Sequence, residues 1–162
     1  MEMTYECAGC GRIDGVAGVE AAGSATCPAC GASRELARVA FDEGGGLAAC
    51  VRCSTADLYI QKDFPHGLGL GIVGAGFAGS TIFWYYYMPA WALAVLLATA
   101  GLDLLLYYLV PDVTICYRCL SQFRGPGSNP GGRFAPFDLA VGERYRQERL
   151  RVEQLRREAP AE

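Results

Sequence analysis

The sequence predicts a small-β fold stapled by two four-cysteine metal sites, with a helical transmembrane hairpin and a C-terminal amphipathic helix. Three features of its 162 residues carry that expectation. All eight cysteines fall in four Cys-x-x-Cys pairs: Cys7/Cys10, Cys27/Cys30, Cys50/Cys53 and Cys116/Cys119. The run from Leu68 to Val110 is uncharged except for Asp103. A segment rich in Glu, Arg and Leu closes the chain. Outside the apolar run, too few residues remain for one large core, and modules on that scale are held by a metal or by disulfides. The opening residues, Met1 to Glu6, do not read as a signal peptide, so the cysteines are expected in reducing cytosol, bound to metal.

The first element spans 1–38. Cys7-Ala-Gly-Cys10-Gly11 and Cys27-Pro-Ala-Cys30-Gly31 are its two knuckles, sixteen residues apart. That gap falls in the window of roughly 15 to 20 residues used by zinc sites with four cysteine ligands. In such a knuckle the chain turns sharply so that both sulfurs face one ion. Gly11 and Gly31 supply the positive φ the turn requires, and Pro28 presets the second turn. These residues resemble the zinc-ribbon proteins, which implies a small β fold around a structural zinc.

The second element is split, 39–63 plus 111–124. Cys50-Val-Arg-Cys53 and Cys116-Tyr-Arg-Cys119 lie 62 residues apart, too far for a simple ribbon. The intervening sequence explains the gap. Asp57 to Lys62 reads as a strand leaving one knuckle, Asp112 to Ile115 as a strand entering the other, and a hydrophobic hairpin joins them. A rival pairing of Cys27/Cys30 with Cys50/Cys53, across nineteen residues, also has a permitted gap. The shared Cys-x-x-Cys-Gly pattern of the first two knuckles favours sequential pairing. The order of knuckle, apolar insertion and knuckle, from about Leu47 to Phe123, loosely resembles the LITAF-domain family. That resemblance implies a zinc-stabilised, membrane-bound adaptor on the cytosolic face. The insertion here is longer, and no histidine stands near the last knuckle.

Within 64–110, spans at 68–88 and 91–110 are each long enough to cross roughly 30 Å of hydrocarbon. Pro89 and Ala90 read as the tight connection. Trp84 to Tyr87 with Trp91 at one end, and Phe64 with Tyr107 and Tyr108 at the other, read as interfacial belts. Lys62, Arg118 and Arg124 flank the near end, which places both termini in the cytosol. Gly74-Ala-Gly-Phe-Ala-Gly79 matches the dinucleotide fingerprint, but no β-α-β unit surrounds it. Close helix packing through Ala75/Gly79 and Gly76/Ser80 is expected instead. Asp103, the one ionisable group in the spans, is expected near the depth of Gly74 to Gly76 as an intramembrane packing or assembly contact. His66 reads as an interfacial residue.

The stretch 125–137 reads as a flexible loop. The segment 138–158 reads as a charged helix capped by Asp138, with Val141, Tyr145, Val152 and Leu155 on one face. Charge is uneven: net −4 over Met1 to Asp63 and net +2 over Pro111 to Glu162. Neither half is a strong polycation, so nucleic acid is not an expected partner. The expected partners are the lipid bilayer and either another protein or a second copy.

The expected cofactors are two structural zinc ions. No catalytic constellation is visible, and closed sites of four thiolates leave no open metal position. The expected protein is therefore not an enzyme but a small integral membrane scaffold and docking adaptor. Two alternatives come from other classes: an accessory subunit or small channel using Asp103, and a Cys-x-x-Cys thiol oxidoreductase.

Overall fold

The computed structural model describes residues 1–158, save the side chains of Val39, His66 and Arg156. The chain forms two compact units, one from 1–61 with 113–162 and one from 62–112.

In the first unit, strands β1 (Glu2–Glu6), β2 (Ile13–Ala17), β5 (Leu58–Lys62), β6 (Asp112–Cys116) and β7 (Gln122–Arg124) form one sheet in the order β2-β1-β7-β6-β5. β1 and β2 are antiparallel, with Met3 opposite Val16. β1 also pairs with β7, Met3 opposite Phe123. Sequence reading treats the two knuckle pairs as separate ribbons, whereas this pairing runs one sheet through both. β3 (Ser24–Thr26) and β4 (Ser33–Glu35) form a separate two-stranded sheet.

The alternation of side chains along each strand sorts the core into two faces. Met3, Tyr5, Leu58, Cys116 and Phe123 share one cluster with Val19, Leu36, Leu47 and Val51. Tyr59, Val113, Ile115 and Tyr117 point the other way and meet Val141 and Tyr145. β6 has both edges paired within the sheet, and its faces are covered by the first cluster at Cys116 and by the second at Val113 and Ile115. Met3 and Phe123 are wholly buried, and each such side chain contributes about 1.5–3 kcal/mol.

Helix α3 (Leu139–Glu158) covers the second face. Asp138 caps it, its Oδ1 accepting from the N–H groups of Ala140 (2.7 Å) and Val141 (3.3 Å). The Tyr145 hydroxyl donates to Asp57 (2.6 Å), and Arg149 donates to the Tyr117 carbonyl (2.8 Å). Farther along the helix, Arg157 pairs with Glu153. Only the first half of the apolar stripe docks; Val152 and Leu155 remain exposed.

The 125–132 stretch is tied down. Thr114 donates to the Ser128 carbonyl (2.9 Å), and Leu47 donates to that of Gly127 (2.8 Å). The chain at Ala135 and Pro136 then bridges to Ile60 and covers the outer edge of β5.

The second unit holds α1 (His66–Tyr85) and α2 (Pro89–Leu109), both long and apolar enough to cross a membrane. Pro89 is the first residue of α2 rather than a connecting residue, a position where its missing N–H costs nothing. Tyr87 takes the left-handed turn that ends α1, at φ 58°. A Cβ on Gly76 would fall 2.7 Å from Thr99, and one on Gly79 3.4 Å from Val95, so small residues at both positions let the helices approach. Phe83 stacks on Trp91 (6.3 Å) at the connection. His66 opens α1; its side chain lies outside the described residues.

Candidate metal centres

All four Cys-x-x-Cys segments adopt one backbone design. The N–H four residues after the leading cysteine donates to that cysteine's carbonyl: Gly11 to Cys7 (2.8 Å), Gly31 to Cys27 (2.9 Å), Ser54 to Cys50 (2.8 Å) and Leu120 to Cys116 (3.0 Å). The leading cysteine's own N–H donates to the carbonyl one position further on: Arg12, Ala32, Thr55 and Ser121 respectively. This pair of hydrogen bonds closes a loop that presents both sulfurs on one side. It also forces positive φ at the fourth position: 71° at Gly11 and Gly31, 57° at Ser54 and Leu120. Glycine marks the first two knuckles in the sequence. Serine and leucine hide the same turn in the last two.

The sulfurs gather as Cys7, Cys10, Cys27 and Cys30, and as Cys50, Cys53, Cys116 and Cys119. In the first group Cys7 and Cys30 are 3.6 Å apart, and Cys10 and Cys27 3.7 Å. In the second, Cys50–Cys119, Cys53–Cys116 and Cys53–Cys119 are 3.4, 3.5 and 3.7 Å. A tetrahedron of metal–sulfur bonds of about 2.3 Å has sulfur–sulfur edges of about 3.8 Å, so both groups fit one tetrahedral ion each.

Electrostatics points the same way. Backbone N–H groups of Gly9 and then Cys10 aimed at the Cys7 sulfur lower its thiol to about 6. In the second group, hydrogen bonding with Cys116 pulls Cys119 down to about 6 and Cys53 lower still, and pushes Cys50 up. Touching thiols cannot all ionise unless a cation takes up the charge. Four thiolates suit a soft or borderline ion and close its coordination sphere.

Two contributors were not singled out from sequence. Thr55 Oγ1 lies 3.4 Å from Cys53 Sγ, and Ser121 Oγ 3.2 Å from Cys119 Sγ. With a thiolate present, each hydroxyl donates to the sulfur and spreads its charge. Their signal was position: both stand five residues after the leading cysteine, where the first group has Arg12 and Ala32.

Asp103 stands apart from the sulfurs, in the helical unit. It borders a crevice of about 310 Å³ with Gly69, Val73, Tyr107 and Lys62. The helix register that seats Gly76 on Thr99 sets Asp103 about one turn away from the expected Gly74–Gly76 depth, beside Gly69 and Val73. Among the described residues it has no hydrogen-bond or ion-pair partner, since Lys62 is engaged by Asp112 (3.1 Å) and by the Val110 carbonyl (3.2 Å).

No protein-family model, curated protein or solved structure matches this chain.

Proposed function

We propose that this chain is a small integral membrane protein whose two zinc-stapled β modules face the cytosol and serve as a scaffold and protein-docking adaptor. The observation that carries the reading is one of sequence order: α1 and α2 occupy the chain between Cys53 and Cys116, the two halves of the second sulfur cluster. The helices leave Leu70, Phe77, Leu97 and Tyr108 more than 70% exposed. Apolar surface of that extent needs lipid or a partner. Lipid suits two adjacent helices of 20 and 21 residues with aromatic residues at both ends. Lys62, Arg118 and Arg124 flanking the near end support cytosolic termini. Four thiolates per site and no open coordination position support structural zinc. The knuckle–insertion–knuckle order supports an adaptor role like that implied by the LITAF-domain resemblance.

The test is an affinity pull-down of the full chain from mild detergent, with metal analysis of the same sample. The reading expects two zinc ions per chain and a co-purifying protein. Metal-free, freely alkylated cysteines would return it to a thiol oxidoreductase. Labelling that puts Cys53 and Cys119 on opposite faces of the bilayer would end it.

Asp103 favours a second reading, an accessory subunit or small channel. An unpartnered carboxyl among apolar helices is costly and calls for a function. Proton or cation flux in liposomes, abolished by Asp103→Asn, would establish it.

A further inference from the structure

Between the two sulfur clusters lies a groove whose walls include Cys7, Cys53 and Cys119 and extend well beyond them. One cavity of about 280 Å³ is lined by Met3, Tyr5, Ala25 and Leu36, with Arg34 and Arg52 among its walls. A neighbouring cleft of about 520 Å³ shares Cys7, Ala8, Arg34 and Arg52 with it and runs on to Arg118 and Arg149. An apolar pocket therefore opens into a channel bordered by four arginines and one carboxylate, Glu6, in a chain whose formal net charge is −3.

The four are not equally occupied. Arg118 faces Glu148 (3.5 Å), and Arg149 is spent on the Tyr117 carbonyl. Arg34 and Arg52 have no acidic partner among the described residues; Arg52 instead lies over the Tyr5 ring, 5.2 Å from its centre. A guanidinium offers five N–H donors in a fork that fits a carboxylate. The Tyr5 hydroxyl, in the same wall, is buried without a hydrogen-bond partner among the described residues. A buried polar group left unsatisfied costs about 1–3 kcal/mol and is a candidate for a partner the chain does not supply.

We propose that this groove binds an extended acidic peptide of a partner protein, one apolar side chain seated against Tyr5, Ala25 and Leu36 and neighbouring carboxylates held by Arg34 and Arg52. Part of the arginine charge offsets the thiolates of the metal centres. An occupant must therefore bring apolar surface as well as negative charge, which an acidic peptide with an aliphatic or aromatic anchor does and a bare phosphate backbone does not. The cavity has room for one large side chain, as an anchor residue requires. This inference rests on the adaptor reading and names the chemistry of its docking surface.

The experiment pans a random nonapeptide display library against the zinc-loaded full chain in detergent. Selected peptides should carry Asp or Glu next to one large apolar residue. R34Q/R52Q should weaken their binding at least about tenfold. Ala8→Tyr should do the same by filling the shared wall with every arginine retained. Ala8 holds the knuckle position that Tyr117 holds after Cys116, so a tyrosine there suits the turn. Both variants should keep two metal ions. The inference fails if no peptide is selected, if basic or uncharged peptides are, or if both variants bind within about twofold of the parent. It also fails if arginine-dependent binding is confined to anionic vesicles or an oligonucleotide. A partner protein captured equally by parent and R34Q/R52Q would leave the adaptor reading standing and remove the groove. Loss of metal from the parent chain would instead remove the reading on which it rests.

Discussion

The two sulfur clusters share one knuckle design but are held in different ways. The first is closed locally, with sixteen residues between its pairs, and two of its cysteines, Cys10 and Cys30, are exposed. The second is closed across 62 residues; Cys50 and Cys116 are wholly buried, and Cys53 and Cys119 partly so. The longer loop costs about 1.2 kcal/mol more to close. The difference is met by structure around the sulfurs: two hydroxyls, a central strand and the Met3–Phe123 core. A short-range site tolerates water, whereas a long-range one is built into the fold.

The largest effect should come from removing one sulfur at each site. Cys116→Ser leaves a gap beneath the central strand and three thiols without their fourth partner. It should lose one ion and lower stability by at least about 3 kcal/mol, since binding energy at structural sites is folding energy. Cys10→Ser should lose one ion while the five-stranded sheet survives. Metal content and thermal melting of both variants decide whether the two sites differ in this way; equal losses would break the comparison.

The hydroxyls are the next lever. Thr55→Val with Ser121→Ala should speed chelator release from the second centre by roughly 10- to 100-fold, the usual scale for groups that hold a ligand in place. The first centre should be unaffected. A chromogenic chelator reading two phases would show the slow phase merging with the fast one.

Acid should separate the sites through their exposure, since each holds a thiol near 6: Cys119 in the second centre and Cys7 in the first. The Cys7 thiol is depressed from about 9 to about 6. Its ionised form therefore stabilises the folded chain fully above about pH 9, and that contribution is lost as pH falls through about 6. Metal release followed from about pH 7 to about pH 5 should begin at the exposed first centre.

The smallest effect lies in the turns. Leu120 is half exposed and held at φ 57°, so Leu120→Gly should stabilise the second centre by about 1 kcal/mol, the cost of a left-handed conformation for an L side chain. Gly11→Ala should destabilise the first by a similar amount. Melting curves with both ions bound would show the opposite signs.

Much of this was legible in the sequence because it is encoded locally. Cysteine spacing, the glycines at 11 and 31, the apolar run and the Asp138 cap each act within a few residues. What was hidden depends on partners far along the chain. The β1–β7 pairing has no local mark, since Met3 and Phe123 meet across more than a hundred residues, in the sheet and in the core. The Gly, Pro, Ser and Asn of 125–132 read as free chain, yet Thr114 and Leu47 fasten it. The helix register that moves Asp103 away from Gly74 is set by Thr99 against Gly76, a fit of shapes that spacing alone does not specify.

The strand order has a consequence for the nascent chain. β1 emerges from the ribosome before both apolar helices, but its neighbour β7 lies more than a hundred residues later, beyond them. Cys50 and Cys53 likewise wait for Cys116 and Cys119. The first ion can be captured before the helices are made, and the second only after them. Completion of the sheet therefore reports that both helices have been made, and a chain truncated before residue 116 would be left with an open edge and two idle thiols for quality control to find.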